Sequence, residues 1–248
     1  MSGVAINVTN LVKAFDGLRA VDGVSLTVPI GERRVLIGPN GAGKTTLFHC
    51  ITGTLRATTG QISLLGRDVT KIDEAGRTEL GMGRTFQISN VFTDLTVVEN
   101  LALAMLGKMP RKWVTYRSVE SYPEIRRNAL AGLELVGLAD RPDDLVKMLS
   151  YGERRQLELA LALQTNPKVL FLDEPCAGLS PSERTHLSRI ISDLPRDMTL
   201  LMIEHDMDVA LALADWVTVL HRGQVILEGS PDEVQANPEV REVYFGNV

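Results

Sequence analysis

The sequence predicts an α/β fold with a mixed sheet, an antiparallel β region near its start and an inserted block of helices. Alternating apolar and polar residues at 6–12 and 24–28 are typical of half-exposed strands. Between about residues 90 and 149, apolar residues recur instead at helical spacing. Continuous apolar runs of the kind found in buried parallel strands occur at residues 34–38, 168–173 and 199–204.

The first quarter of the chain is expected to form the antiparallel strands and one central strand. Pro29-Ile30-Gly31-Glu32 punctuates the chain before the apolar strand 34–38. A helix is expected at 45–52, a turn at 58–60 and a further strand at 61–65. Because antiparallel-type strands flank the apolar strand, we expect the sheet to be mixed.

In the rest of the chain, a region with helical spacing is followed by alternating helices and strands. Residues 96–106 and 124–136 carry the helical spacing and are joined by an irregular or short helical connection. Alternation of helices and strands then returns. The expected elements are a helix at 152–164, a strand at 168–173, a helix at 182–194, a strand at 199–204, a helix at 207–214 and a hairpin of 217–220 with 224–228.

We therefore expect a single domain made of three parts. The core, with the β region, comprises residues 1–88 and 157–229. A helical subdomain comprises residues 89–156, and residues 230–248 form a tail.

Composition and charge exclude several classes of protein. The chain is 44% hydrophobic and 23% charged, as is usual for a globular protein. Its net charge of −5 argues against a dedicated nucleic-acid binder, which needs a basic face. No apolar run approaches the roughly 18 residues of a membrane span, and the start lacks the pattern of a signal peptide. We expect a cytosolic protein in which Cys50 and Cys176 are small buried hydrophobes.

The most informative motif follows the first apolar strand. Residues 38–45 match G-x-x-x-x-G-K-[ST], a loop that wraps phosphates with backbone N–H groups. Lys44 would place its charge on the β- and γ-phosphates, and the Thr45 hydroxyl would bind Mg²⁺. A Gly-rich turn with a stray Lys is the alternative, but the strand before and the helix after the loop favour a triphosphate site. The expected nucleotide-binding residues are Gly38, Pro39, Asn40, Gly41, Ala42, Gly43, Lys44, Thr45 and Thr46.

A second motif ends the apolar strand 168–173 with Asp173-Glu174. Asp173 is expected to bind Mg²⁺ opposite Thr45, and Glu174 to act on an attacking water as general base or hydrogen-bond acceptor. The alternative is an acidic strand end without a role. A kinase has no need of this pair, because its acceptor is a substrate hydroxyl, so the sequence favours ATP hydrolysis.

A third motif, Ser150-Tyr151-Gly152-Glu153, lies where the helical block meets the next helix. A Ser and a Gly at a helix start form a second anion site. The alternative is a helix cap in which Ser150 and Glu153 form a capping box. The two interpretations are compatible, because a cap presents the same N–H groups.

The three motifs resemble those of ATP-binding-cassette (ABC) proteins. The segment Ser150–Glu153 resembles their signature sequence, and it stands ahead of the Asp173 strand as that family requires. The resemblance covers essentially the whole chain and implies the ABC ATPase fold, with a RecA-like P-loop core. It also implies ATP and Mg²⁺ as ligands. Because one chain has one P-loop and one signature, we expect two chains to meet, with Ser150, Gly152 and Glu153 on the partner's nucleotide.

The same resemblance assigns four further residues. Gln87 matches the glutamine that approaches Mg²⁺ and the attacking water, and His205 matches the histidine that contacts the γ-phosphate and Glu174. Phe15 matches the aromatic residue that stacks on adenine, and Val21 would line the same pocket. An aromatic at residue 15 is equally compatible with a core position.

Two positions depart from the family pattern. Tyr151 replaces the first Gly of the signature, although Ser150 and Gly152 are retained. Ser180 stands where many members have Asp, which puts in doubt communication between two nucleotide sites through that side chain. Glu174 is intact, so we expect an active site.

Details of the loops resemble the ATPases of branched-chain amino acid importers. They include residues 83–87, 91–101, 204–207 and 237–246. The expected partners are a second ABC ATPase chain, identical or not, transmembrane permease subunits and, indirectly, a substrate-binding protein. The chain would then lie on the inner face of the cell membrane. The alternatives are an ATPase of lipopolysaccharide export or urea import, or a non-transport ABC ATPase.

Overall fold

The computed structural model describes residues 3–85, 91–107 and 122–245, which form two compact units. The first unit comprises Met1–Arg84, Lys168–Glu174 and Leu194–Val248, and the second comprises Thr85–Pro167 and Pro175–Asp193. The second unit is larger than the expected helical subdomain 89–156. It also contains two long helices that follow the signature motif and pack against each other.

An antiparallel sheet in the first unit has the strand order β2-β1-β4-β5. The strands are β1 Val4–Phe15, β2 Leu18–Pro29, β4 Thr59–Leu64 and β5 Arg67–Asp68. Asp16 and Gly17 join β1 to β2, and both have positive φ, as the tight turn of a twisted hairpin requires. The alternation expected for residues 6–12 is seen in β1, where Ile6 and Val8 are buried.

A six-stranded mixed sheet in the same unit has the order β10-β9-β3-β8-β7-β6. The strands are β3 Arg33–Ile37, β6 Met82–Arg84, β7 Val169–Asp173, β8 Thr199–Ile203, β9 Trp216–His221 and β10 Gln224–Gly229. All neighbours are parallel except β9 and β10. The sheet is mixed, as expected, but its antiparallel strand is β10 because the Arg222-Gly223 turn reverses the chain. The early strands form a sheet of their own.

Helices of the first unit support the central strands. They are α1 Lys44–Thr52, α2 Glu74–Glu79, α7 Met207–Leu213, α8 Pro231–Ala236 and α9 Pro238–Phe245. Leu47, Phe48 and Ile51 of α1 are fully buried, and the Phe48 ring packs edge-on against Phe171 of β7, with ring centroids 5.5 Å apart. Each such side chain contributes roughly 1.5–3 kcal/mol by leaving water. This packing fixes α1 against the strand that ends in Asp173.

The second unit is helical where it is described. Its helices are α3 Val97–Leu106, α4 Pro123–Leu135, α5 Tyr151–Leu163 and α6 Pro181–Asp193. Thr96 and Glu99 form a capping box at the start of α3, which explains why this helix begins where its apolar periodicity predicts. Within the described ranges, no helix combines the length and apolar character needed to cross a membrane.

Candidate active site

Three neighbouring strands of the mixed sheet carry the predicted chemistry at their carboxyl ends. Gly38 follows β3, His205 follows β8, and β7 ends at Asp173. Because β8 lies between β3 and β7, the loop after β8 separates the phosphate loop from the acidic pair. Ligands of such sheets bind at this edge.

The phosphate loop leads into α1 with an open helix start. Gly43 is the N-cap, with φ of 100°, and no side chain caps the helix. A Cβ on Gly43 would lie 2.3 Å from the Ala20 carbonyl oxygen, and one on Gly38 would lie 2.2 Å from that of Leu220. Both positions therefore require glycine. The uncapped N–H groups and the helix dipole suit an anion.

Lys44 is the cation of this loop. Its Nζ donates to the carbonyl oxygens of Gly38, at 2.6 Å, and Pro39, at 3.1 Å, and the residue is only 4% exposed. Burial lowers the pKa of Lys44, and the negative charge of Glu174 partly opposes this effect. Both of these contacts are to neutral carbonyl groups, so a phosphate at the loop would give the Lys44 ammonium group a negatively charged partner.

A cavity of about 620 Å³ opens beside the loop. Its lining consists of Leu18, Arg19, Ala20, Asn40, Gly41, Ala42, Gly43, Lys44, Thr45, Thr46, His205, Arg222 and Gly223. Seven of the predicted nucleotide-binding residues, Asn40 to Thr46, thus share one cavity with His205. Gly38 and Pro39 do not line it, but their carbonyl groups hold Lys44.

Sequence reasoning missed the lining residues that come from the two hairpins. Leu18, Arg19 and Ala20 follow the Asp16-Gly17 turn, and Arg222 and Gly223 form the β9–β10 turn. The Asp16-Gly17 pair, a hairpin-turn signal, was available in the sequence for the first group. The second group had none, because its position depends on sheet order.

The structure places Phe15 and Val21 outside this lining. Val21 is fully buried in the core of the first unit, so its expected place in the pocket is not observed. Ala20, the residue before it in β2, lines the cavity. Phe15 is 43% exposed, with the Lys13 ammonium 4.7 Å from its ring centroid. Its stacking on adenine stays a prediction.

Asp173 is a buried carboxylate with no hydrogen-bond partner among the described residues. The Nε2 of His49 lies 3.9 Å from Oδ2 of Asp173. Burial, and then the charge of Glu174, raise the pKa of Asp173 to about 6. Two unsatisfied oxygens of this kind fit a hard divalent cation such as Mg²⁺.

Within residues 3–85, 91–107 and 122–245, no cluster of three or more His, Cys, Asp or Glu side chains forms a metal site. Such a cluster is not required for Mg²⁺, which usually takes one or two protein ligands together with substrate phosphates. The Thr45 hydroxyl at the cavity and the Asp173 carboxylate are the residues suited to that role.

Glu174 and His205 form a direct pair. The Nε2 of His205 lies 2.7 Å from Oε1 of Glu174, and because a carboxylate only accepts, the imidazole N–H donates. Glu174 has a φ of 49°, a conformation that costs a non-glycine residue about 1 kcal/mol or more and that clusters at functional sites. Its own N–H donates to the carbonyl oxygen of Ile203, which fixes this turn against β8. Gln87, the third predicted catalytic residue, lies outside the described residues.

The signature segment belongs to the second unit and begins α5. The Ser150 Oγ accepts from the N–H of Glu153 at 3.2 Å, and the Glu153 carboxylate accepts from the N–H of Ser150 at 2.7 Å. The capping box is therefore present, and it leaves the anion-binding role of the same segment a prediction. Arg141 donates to the other oxygen of Glu153 at 2.6 Å.

The two departures from the family pattern lie in the same unit. Tyr151 donates from its hydroxyl to the carbonyl oxygen of Ala177 at 3.3 Å and accepts from Arg155 at 2.8 Å. Its ring covers Gly178, where a Cβ would lie 3.3 Å from Cε1. Ser180 caps α6 through Glu183. Each departure thus has a local structural role.

Comparison with known proteins agrees with this geometry. The profile of the ABC transporter family matches residues 21–177, and that of the branched-chain amino acid ATP-binding cassette transporter matches residues 224–248. The chain is 37% identical, over 99% of both chains, to the high-affinity branched-chain amino acid transport ATP-binding protein LivG of Salmonella typhimurium.

Solved structures of cassettes have the same fold. The ADP conformation of MJ1267, an ATP-binding cassette of an ABC transporter, superposes with a TM-score of 0.87 at 33% identity, covering 98% of this chain and 99% of that one. The dimeric structure of MJ0796, a bacterial ABC transporter cassette, gives 0.77 at 25% identity, covering 91% and 98%.

Proposed function

This chain belongs to the ABC transporter family of ATP-binding cassettes, and from that premise we propose that it is the ATP-hydrolysing subunit of an importer of branched-chain or related amino acids. Members of the family hydrolyse ATP to power transport, and this chain is an ATPase. The hydrogen bond between His205 and Glu174, beside the phosphate-loop cavity, is the observation that carries the proposed mechanism.

The phosphate loop binds the nucleotide in this proposal. The N–H groups at the start of α1 and the Lys44 ammonium hold the β- and γ-phosphates. Thr45 and Asp173 would hold Mg²⁺, which neutralises charge on the phosphates. Neither oxygen of the buried Asp173 has a hydrogen-bond partner in the described part of the chain, so the carboxylate is available for this role.

Glu174 prepares the water that attacks the γ-phosphorus. His205 donates to Oε1, so Oε2 of Glu174 remains to accept the proton of a water molecule. The same hydrogen bond restrains the carboxylate, whose backbone is already held by Ile203. Gln87 is proposed to act on Mg²⁺ and this water, the role of the glutamine that it matches in the family.

A second cassette chain completes each nucleotide site. Ser150, Gly152 and Glu153 of one chain are proposed to face the phosphate loop of the other. Binding of ATP then favours the closed pair, and hydrolysis reopens it. The dimeric cassette structure among the solved relatives supports this pairing.

The paired cassettes are proposed to bind permease subunits at the inner face of the membrane and to drive transport through them. A substrate-binding protein is proposed to deliver the amino acid, which never contacts this chain. The match of residues 224–248 and the name of the LivG relative support branched-chain amino acids over lipopolysaccharide or urea. Recovery of only soluble partners in a pull-down from detergent-solubilised membranes would contradict the transporter assignment.

Replacement of Glu174 by Gln tests the catalytic assignment. The amide still accepts from His205 but does not take a proton, so we expect ATP turnover to fall about 10²- to 10³-fold. ATP binding should persist and an ATP-bound dimer should accumulate, which gel filtration with light scattering would detect. Glu79→Gln, an exposed site on α2, is the matched control and should keep full turnover. Undiminished hydrolysis in the Glu174 variant would refute the mechanism.

A further inference from the structure

The β9–β10 turn lies at the edge of the mixed sheet where the candidate site is built. The strand order β9-β3-β8 places the carboxyl end of β9 beside that of β3, on the side away from β8. Arg222 and Gly223 form this turn, and both line the cavity of the phosphate loop. The turn therefore reaches the same cavity as His205, but from the strand on the other side of β3.

Backbone contacts fix this turn against the phosphate loop. The N–H of Gly223 donates to the carbonyl oxygen of Ala42 at 2.9 Å, and the carbonyl oxygen of Gly223 accepts from the N–H of Asp22 at 2.8 Å. A Cβ on Gly43 would lie only 3.3 Å from the Cα of Gly223. Arg222 is thus next to a residue that is hydrogen-bonded to the phosphate loop, so its backbone is already positioned at the cavity.

The backbone conformation of Arg222 is unusual for arginine. Arg222 has a φ of 48° and Gly223 a φ of 80°, the pattern of a two-residue type I′ turn. The first position of this turn favours Asn, Asp or Gly, because other side chains are strained there. The Asp16-Gly17 turn has the same pattern, with φ of 43° and 92°, and carries the favoured Asp. The turn itself therefore does not explain an arginine at 222, and such strained residues cluster at functional sites.

The charge of Arg222 is not used within the described part of the chain, where this residue forms no ion pair. By contrast, Arg19, the other arginine at the cavity, is held by Asp22 at 2.8 Å. The described residues that line the cavity include three cationic side chains, those of Arg19, Lys44 and Arg222, and no carboxylate, although the whole chain has a net charge of −5. A guanidinium group in such a cavity suits a phosphate, to which it can donate two parallel hydrogen bonds.

We propose that Arg222 is a nucleotide-binding residue that contacts the triphosphate of ATP from the β9–β10 turn. The inference rests on the proposed function, in which the phosphate loop binds ATP. Lys44 after β3 and Arg222 after β9 then neutralise the phosphates from two neighbouring strands. The arginine is retained for its charge, although another residue would suit the turn better.

Arg222→Asn separates this role from a purely structural one. Asn suits the turn better than Arg, so the Tm of the variant should match or exceed that of the native chain. Loss of the cation should weaken ATP binding about five- to tenfold, measured by calorimetry without Mg²⁺ so that hydrolysis does not interfere. Arg222→Lys keeps the charge and should keep most of the affinity. A purely structural arginine would instead change stability and affinity in the same direction.

Inorganic tripolyphosphate shows which part of the nucleotide Arg222 contacts. This probe lacks the base and the ribose, so Arg222→Asn should weaken its binding by the same factor as the binding of ATP. Arg67→Asn is the matched control, because Arg67 is exposed on β5, does not line the cavity and carries the same charge. This control should leave both affinities unchanged.

The outcomes distinguish failure of this inference from failure of the proposed function. Equal affinity of the native chain and Arg222→Asn for both ligands would overturn the inference alone. Weaker binding of ATP with unchanged binding of tripolyphosphate would assign the guanidinium group to the base or the ribose, and would also overturn it. An equal loss in Arg67→Asn would reduce the effect to net charge and refute a direct contact. A native chain that binds neither ligand would overturn the proposed function, and this inference with it.

Discussion

Replacement of Asp173 by Asn is expected to stabilise the protein in the absence of nucleotide while weakening its response to Mg·ATP. Both oxygens of Asp173 are buried without a hydrogen-bond partner in the described part of the chain. An unpaired carboxylate in this position is costly to ionise. The charge of Asp173 therefore lowers the stability of the folded chain but is needed to bind Mg²⁺, a trade-off that is common in active sites.

The size of the effect follows from the pKa of this carboxyl. Its rise from 3.8 to about 6 corresponds to about 3 kcal/mol lost when the folded protein ionises the group. The Asn amide, with its own unpaired N–H groups, takes back about 1 kcal/mol. A net gain of about 2 kcal/mol should raise the Tm by about 4–8 °C.

The pH dependence has a definite sign. Because the folded pKa of Asp173 is raised, the folded state binds the extra proton between about pH 4 and pH 6. Stability of the native chain therefore falls as the pH rises through this window and stays lower above it. The advantage of Asp173→Asn should be small near about pH 4 and complete above about pH 7.

Thermal unfolding at about pH 4.5 and about pH 8, with and without Mg·ATP, measures both effects. Asp68→Asn is the control, because hydrogen bonds from Thr70 lower the pKa of Asp68 and its charge is favourable in the folded state. That variant should show no stabilisation at either pH. An Asp173 variant no more stable than the native chain at about pH 8, or equally stabilised at both values, would refute the reasoning.

Two further substitutions probe the support of the phosphate loop. In Gly43→Ala the new Cβ would lie 2.3 Å from the Ala20 carbonyl oxygen, at a φ of 100°. ATP binding, measured by calorimetry, should therefore fall at least 100-fold. Gly17→Ala is the control: its φ is also positive, but the space around its Cβ is open, so it should retain ATP binding. Arg77→Met leaves four backbone carbonyl groups without their donor, two of them at the end of α1. The free energy of unfolding, measured in urea, should fall by about 3–5 kcal/mol. Equal stability of the two proteins would show that these hydrogen bonds are dispensable.

Local patterns predicted most of the elements that carry the site. Two examples are the hairpin around Arg222-Gly223 and the capping box of Ser150 with Glu153. Each depends on residues only a few positions apart, so it can be predicted from the sequence. The pocket position of Val21 was not observed, although it differs by one residue from Ala20, which lines the cavity. Which residues of β2 reach the cavity depends on how that strand packs in the fold, and not on the local pattern alone.

The sequence by itself determined the phosphate loop, the acidic pair at the end of β7 and the helix start at Ser150, because each depends on backbone conformation and side-chain chemistry within a few residues. Only the tertiary structure placed β8 between β3 and β7 and so brought His205 to within 2.7 Å of Glu174. Likewise, only packing of α5 against α6 placed the Glu183 side chain beside Gly152. The order of strands and the facing of helices follow from which apolar surfaces bury one another, a competition among residues distant in the chain.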